Sequence, residues 1–478
     1  MKSKLSEKQL NQFFDVAKPA VLDEIKFKNP KLFDSKEFKI KGSENFAFRP
    51  VDPKMPKGFK NIGGLPIRVT GKKPQLPILK DIRDDLIIRP WLPADWGDWF
   101  TIGGNDCELV PSKTSRVDIA VPAQTRICHM SDDCARIYTV NDAGQGSVIN
   151  VITEMVDASF SVMPNPSPNP PYPAGLPGGN GLVHPFAKGG INHKYQRLYV
   201  PASFYSTARV IANGGFYVAV VDIDPTSPTY LDTINWIDCG WIPEEVYFTD
   251  DDEMGVITNY MQGTATIFDA SSGAVIEDEV DLFPGAGAAP AGGPLARSVR
   301  VTNVPGVGNR AFHTITNDIA SNGNAGVAII DLDNPSFPVT NFTHPSFGFI
   351  TGVAVMPEKD RILLVENSEA HVIRVDVTPP VLENTWPLET GASQSYWGGV
   401  DTRPSGNMAF VATGNANSNS PTQGTTLVQV NYDSGTVFES FTGLPARVWD
   451  LRMVEFGSPL KPHIICCSLS GNVSIIPC

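Results

Sequence analysis

Long apolar runs are missing from this 478-residue chain. None approaches the ~18–20 consecutive apolar residues that a membrane-spanning helix needs, so a membrane span is excluded as a reading of the sequence. The segment Met1 to Asn11 is polar and lacks the apolar centre of a secretory signal. The expectation is a soluble protein without a signal peptide, cytoplasmic or held within a particle. The sequons at Asn341 and Asn472 matter only for a secreted chain. Cysteine is scarce: seven, at positions 107, 128, 134, 239, 466, 467 and 478. An odd and sparse set excludes a disulfide framework, and reduced, mostly buried thiols are expected. Linear catalytic signatures are missing too. There is no Gly-x-Ser-x-Gly elbow, no P-loop and no dinucleotide fingerprint. No two of the seven histidines have the i, i+4 spacing of a helical zinc site.

What is present is apolar residue, glycine and proline. Hydrophobic residues make up 41%, enough for a large core, and the 42 Gly and 41 Pro suit many short strands joined by turns. The formal net charge of −13 is uneven: residues 1–100 carry 20 Lys and Arg against 13 Asp and Glu, the remainder 18 against 38. An acidic body disfavours nonspecific nucleic-acid binding. A basic arm on an acidic body suits docking on that body or on a neighbour's; a solvated tail is the plainer alternative.

A repeat organises the rest. Its first part is a short β-rich run ending in a polar residue: Ile137–Asn141, Leu198–Pro201, Val256–Asn259, His313–Asn317, Leu363–Asn367, Phe410–Thr413 and Ile464–Ser468, with starts about 45–60 residues apart. Its second part is an apolar run ending in Asp or Asn: Val148–Asn150, Val220–Asp222, Ile267–Asp269, Ile329–Asp331, Arg374–Asp376 and Gln429–Asn431. Two copies continue as Asp269-x-x-Ser-Gly273-x-Val275 and Asn431-x-x-Ser-Gly435-x-Val437, where glycine supplies the positive φ of a tight hairpin. A further apolar run precedes each first part, as in Gly352–Met356 and Gly399–Thr402. Four antiparallel strands per unit, seven times over, predict an all-β, seven-bladed β-propeller, because such a unit buries both faces only by stacking on its neighbours. The last unit stops at a third strand, Asn472–Ile476, and a strand within about residues 107–121 is expected to supply the fourth and latch the ring; an open ring or a partial eighth blade is the rival.

These two strand motifs resemble the YVTN-type and lactonase-like seven-bladed propeller repeats over about residues 117–478. The resemblance implies the fold and little about function. Regular Gly-His and Trp-Asp pairs are absent, so the chain does not resemble WD40 repeats, and Trp449-Asp450 reads as chance.

Residues 1–105 do not fit the repeat and read as an extended, partly helical arm, against a propeller over 106–478. Ser6 with Gln9 forms a capping box and Leu5 with Leu10 a hydrophobic staple, opening a helix from Glu7 to about Ala17; Pro and Lys then recur without a period. Trp91, Trp96, Trp99 and Phe100 form an aromatic cluster that pins the arm to the propeller or binds a protein partner. Pro164–Asn180, with seven prolines, and the Gly, Ala and Pro run Pro284–Pro294 read as surface loops between blades.

The resemblance implies that the connection after each second strand shares a face with the entry to the innermost strand, where ligands gather round the channel. That connection holds Asn141, Asp142, Asn259, Asn317, Asp318, Glu366, Asn367 and Asn415. Such oxygens suit a hard cation, Ca²⁺ above all, although no cofactor is required and Asn or Asp at a turn also satisfies backbone groups. His184 with His193, and Cys128-His129 with Cys134, are weaker metal pairings, and Cys466-Cys467 face opposite ways in a strand. The leading expectation is a non-catalytic scaffold or binding protein in a larger assembly, such as a structural component of a virion or other particle. The alternative is a metal-dependent lactonase-like hydrolase with its site at the central channel, and a redox or metal-carrying propeller ranks third.

Overall fold

The computed structural model describes residues 59–62, 65–68, 107, 110–162, 181–183, 187–204, 216–260, 262–284, 295–316, 325–348, 350, 352–366, 369–388, 399–403, 407–413, 426–441, 443–444, 448–457 and 460–478. Packing divides the chain into two units, Met1–Leu109 and Val110–Cys478. In the first, Phe59–Ile62 pairs antiparallel with Leu65–Arg68. The expected helix Glu7–Ala17 and the aromatics Trp91, Trp96, Trp99 and Phe100 lie outside the described residues.

The second unit is a seven-bladed β-propeller. Each blade is an antiparallel sheet whose strands follow one another in order, as in Pro243–Phe248, Met254–Asn259, Thr264–Asp269 and Val275–Asp281 for the third. The innermost strands are Thr125–Met130, Gly190–Asn192, Pro243–Phe248, Leu295–Val304, Gly352–Val355, Val400–Thr402 and Val448–Phe456. Each touches the next, and Val448–Phe456 touches Thr125–Met130, so the ring is complete. In the second blade, Gly181–Val183 also pairs with Arg197–Phe204, beyond the end of Gly190–Asn192.

Burial explains why the repeat is legible. Second and third strands are covered on both faces by neighbouring blades, so they read as unbroken apolar runs such as Ile362–Val365. Outermost strands face solvent on one side and alternate, as Val381–Pro387 does. Each core cluster belongs to two adjacent blades. Val256, Ala265 and Ile267 of the third pack with Val299, Ala311 and Ala328 of the fourth; Leu363 and Val372 of the fifth pack with Val411 and Val428 of the sixth. Gly273 and Gly435 take φ of 75° and 68° in the two matching hairpins, the left-handed region where a side chain would be strained.

The seventh blade is assembled from both ends of its unit. Val448–Phe456, Lys461–Ser468 and Asn472–Pro477 are joined by Val117–Ala120, whose register sets Ile119 opposite Val473. The Asp118 carboxylate accepts the Ser474 hydroxyl at 2.6 Å and is held below its ordinary range: Arg116 and Ser474 together outweigh the effect of burial.

The thiol expectation needs correction. Cys107 and Cys134 are disulfide-bonded, while Cys128, Cys239, Cys466 and Cys467 keep free thiols. Low overall cysteine density argues against a framework of bridges without forbidding bonded cysteines. Cys134 is therefore removed from the metal pairing considered with Cys128 and His129.

Ile119 is buried within the closing strand whereas its neighbour Ala120 is exposed. Ile119→Asp loses apolar burial and strands a carboxylate, and is expected to cost at least ~3 kcal/mol. Ala120→Asp is expected to stay within about 0.5 kcal/mol of the parent. Urea unfolding of the full chain checks both.

Candidate functional site

In an up-and-down blade, the connections after the first and third strands lie on one face, and those after the second and fourth strands on the other. The second set contains the long ones: 162–189, 205–215, 282–294, 388–399 and 414–425. On the opposite face the longest is 223–232, and most are tight turns. The innermost strands all begin at the long-connection face.

Charged side chains of those strands converge behind it. Glu245 is fully buried; its Oε1 accepts Arg300 Nη1 at 2.6 Å and Arg452 Nη2 at 3.2 Å, and its Oε2 accepts the Val299 amide at 3.0 Å. One carboxylate thus ties the third blade to the fourth and the seventh. Arg452 also meets Asp450 at 3.3 Å. Lys188 donates to Ser298 Oγ at 3.0 Å, and its amide to the Glu244 carbonyl at 2.7 Å. Asp401 accepts the amides of Thr402 and Met453 at 3.0 and 2.9 Å. Backbones are tight here: a Cβ on Gly190 would lie 2.2 Å from the Val246 carbonyl oxygen, so only glycine fits.

The neighbouring carboxyls Glu244 and Glu245 are driven apart. Burial alone would raise Glu245, but Arg300, Lys188 and Arg452 outweigh it and hold the group well below the usual range. Burial raises Glu244 to about 8, with Arg297 and Lys188 recovering only part of the difference, and its Oε1 makes no hydrogen bond. Burial also raises Asp401 and Asp450 despite their cationic neighbours, and lowers Lys188.

The sequence candidates that are described make other contacts. Asn141 fastens a turn: its Oδ1 accepts the Ala143 and Gln145 amides at 3.1 and 2.8 Å, with Asp142 partly exposed beside it. Asn259 donates to Thr264 and Thr266 at 3.1 and 3.0 Å within its own blade. Glu366 accepts the Gly348 amide and faces His371 Nε2 at 3.4 Å. Asn317, Asp318, Asn367 and Asn415 lie outside the described residues, as does His184. Sequence reading missed the central charges because the third, fourth, sixth and seventh blades contribute only one or two each, at no fixed linear spacing, and two innermost strands contribute none. The signal was a charge inside an innermost strand, and Asp450 of the supposed chance pair Trp449-Asp450 is one.

A second feature of the long-connection face is Trp241, 53% exposed, its ring 6.3 Å from that of buried Phe216. Next to it Ile242 holds φ at 59°, a strained conformation for a β-branched residue.

No protein-family model matches the chain, and no curated protein matches it in sequence. Solved structures do match the fold. One described as U3-55K is 10% identical, with a TM-score of 0.52, over 77% of this chain and 100% of the other. The RRP9 WD40 repeats are 8% identical, with a TM-score of 0.52, over 77% and 98%. The β-propeller domain of Myceliophteria thermophila Cps50 (Swd1) is 10% identical, with a TM-score of 0.50, over 75% and 99%. At these identities the likeness is one of fold: the second unit belongs to the β-propeller class. The structural neighbours include WD40 propellers, and the YVTN-type and lactonase-like resemblance is not carried further by them.

Glu244 has a distinctive pH signature. Below about pH 4.5 folded and unfolded chains both keep its proton; between there and about pH 8 only the folded chain does, so its contribution falls as pH rises and levels off above. Glu244→Gln is expected to remove this decline, stabilising the variant relative to the parent at pH 8–9 by at most about 5 kcal/mol. Thermal unfolding of both proteins from pH 5 to 9 reads the difference; parallel curves contradict it.

Proposed function

We propose that the propeller is a non-catalytic binding scaffold that engages a protein partner, in the first instance another copy of the chain within a larger assembly, through the face bearing the long connections. The observation that carries this reading is the asymmetry of the two faces. The long connections start and end on one side of the ring, the usual placement of binding segments on a scaffold. Trp241 adds an exposed aromatic, the residue type enriched in interface anchors, beside a strained residue that its surroundings must hold in place.

The charged centre favours a structural role over a hydrolytic one. Lys188, Arg297, Arg300 and Arg452 face Glu244, Glu245, Asp401 and Asp450, so the chain supplies its own counter-ions and leaves little reason for Ca²⁺ to enter. The basic segment 1–100 complements the acidic remainder, which supports docking between copies.

Light scattering of the full chain, of a chain lacking residues 1–100, and of Trp241→Glu tests the reading. The full chain is expected to exceed the monomer mass at micromolar concentration, and each change to lower it while thermal stability is kept. A monomeric full chain, or three equal masses, contradicts it.

A further inference from the structure

His371 is fully buried, and its Nε2 makes no hydrogen bond. An orphaned buried nitrogen of this kind calls for a partner. Its surroundings show what kind. On the fifth blade, Glu369 and His371 stand two residues apart on the strand Glu369–Arg374, hence on one face. Glu366 opens the connection that follows the strand Arg361–Val365 and donates its amide to the Glu369 carbonyl at 2.9 Å. One ligand atom from each of Glu366, Glu369 and His371 lies within 4.8 Å of the others.

The geometry points to a divalent transition-metal site formed by Glu366, Glu369 and His371. Glu366 Oε1 and His371 Nε2 are 3.4 Å apart. That is long for a hydrogen bond, yet two donors bound at ~2.0–2.1 Å to a tetrahedral ion are separated by about 3.4 Å. Glu369 is only partly buried, so its side chain is free to close the remaining gap. His371 is oriented from behind: Thr385 lies directly opposite it in the sheet, and its Oγ1 is 3.0 Å from Nδ1. With Nδ1–H donating to Thr385, the Nε2 lone pair points at the carboxylate, and two electron-rich groups face each other with a cation-sized gap. An oxygen acceptor on the second ring nitrogen is the usual support of a metal-bound histidine, and the Thr385 hydroxyl supplies one here. Phe347 covers the imidazole at 4.7 Å between centroids, keeping water from that side. One imidazole with two carboxylates suits Zn²⁺ and its transition-metal neighbours over Ca²⁺ or Mg²⁺, which take oxygen alone. Three protein ligands leave a fourth position for water. The site lies at the long-connection face of one blade, separate from the channel, and does not depend on the scaffold reading.

The test uses the full chain, stripped with a chelator, dialysed and titrated with Zn²⁺ by calorimetry, with zinc counted by elemental analysis. One equivalent is expected, with micromolar or tighter affinity and a raised thermal midpoint. His371→Ala is expected to abolish this binding and Thr385→Val to weaken it 10–100-fold. Because His371 is buried and its loss endangers folding, Glu369→Gln, at a partly exposed position, is the second variant, with at least tenfold weaker binding expected. No zinc bound by the parent, or Glu369→Gln and Thr385→Val both binding as tightly as the parent, overturns the proposal; in the second case the zinc is held elsewhere on the chain.

Discussion

Glu245 is the side chain on which the centre of the ring depends. Removing a carboxylate from water costs several kcal/mol, and this one is recovered only because Arg300 and Arg452 reach it from two other blades while the Val299 amide fills its second oxygen. Arg300 is in turn buried and Arg452 largely so, and both are tolerable there only beside an anion. Most of the area between blades is apolar, as in the clusters shared by adjacent blades, and such faces pack well over a range of small shifts. A shared carboxylate has no such latitude, so it sets the registry of the third, fourth and seventh blades.

The two ends of the propeller unit impose the complementary constraint at the rim. Val117–Ala120 completes a sheet whose other strands come from the far end of the sequence. Inner charge pairing and outer strand exchange therefore act on the same seventh blade, which contributes both Arg452 and the paired strand Asn472–Pro477.

How much of this was legible in the sequence follows from burial. Strands covered on both sides, such as Val256–Asn259 and Leu363–Val365, announce themselves as apolar runs, and the deficit of one strand in the last unit directs attention to the segment before the first. Short inner strands are harder: Gly190–Asn192 has almost no apolar signal, because its role is to let backbones approach. The pair Phe59–Ile62 and Leu65–Arg68 went unread although Gly63-Gly64 between them is a hairpin signal. Polar candidates taken from the connections were attractive as a ring, yet Asn141 and Asn259 spend their amides inside their own blades. Glu366 is the one whose setting is chemical, and only the fold sets it beside Glu369 and His371. The central charges come from separate blades, so no linear motif could have displayed them.

A double-mutant cycle on Glu245 and Arg300 tests the role of the buried carboxylate most directly. Glu245→Gln, Arg300→Met and the double variant would be unfolded in urea beside the parent. Each single change should cost about 3–5 kcal/mol, because it strands a buried charge, and the double variant should cost well under the sum, with a coupling of at least ~1.5 kcal/mol. Additivity within about 0.5 kcal/mol would mean that Glu245 and Arg300 do not hold the ring together.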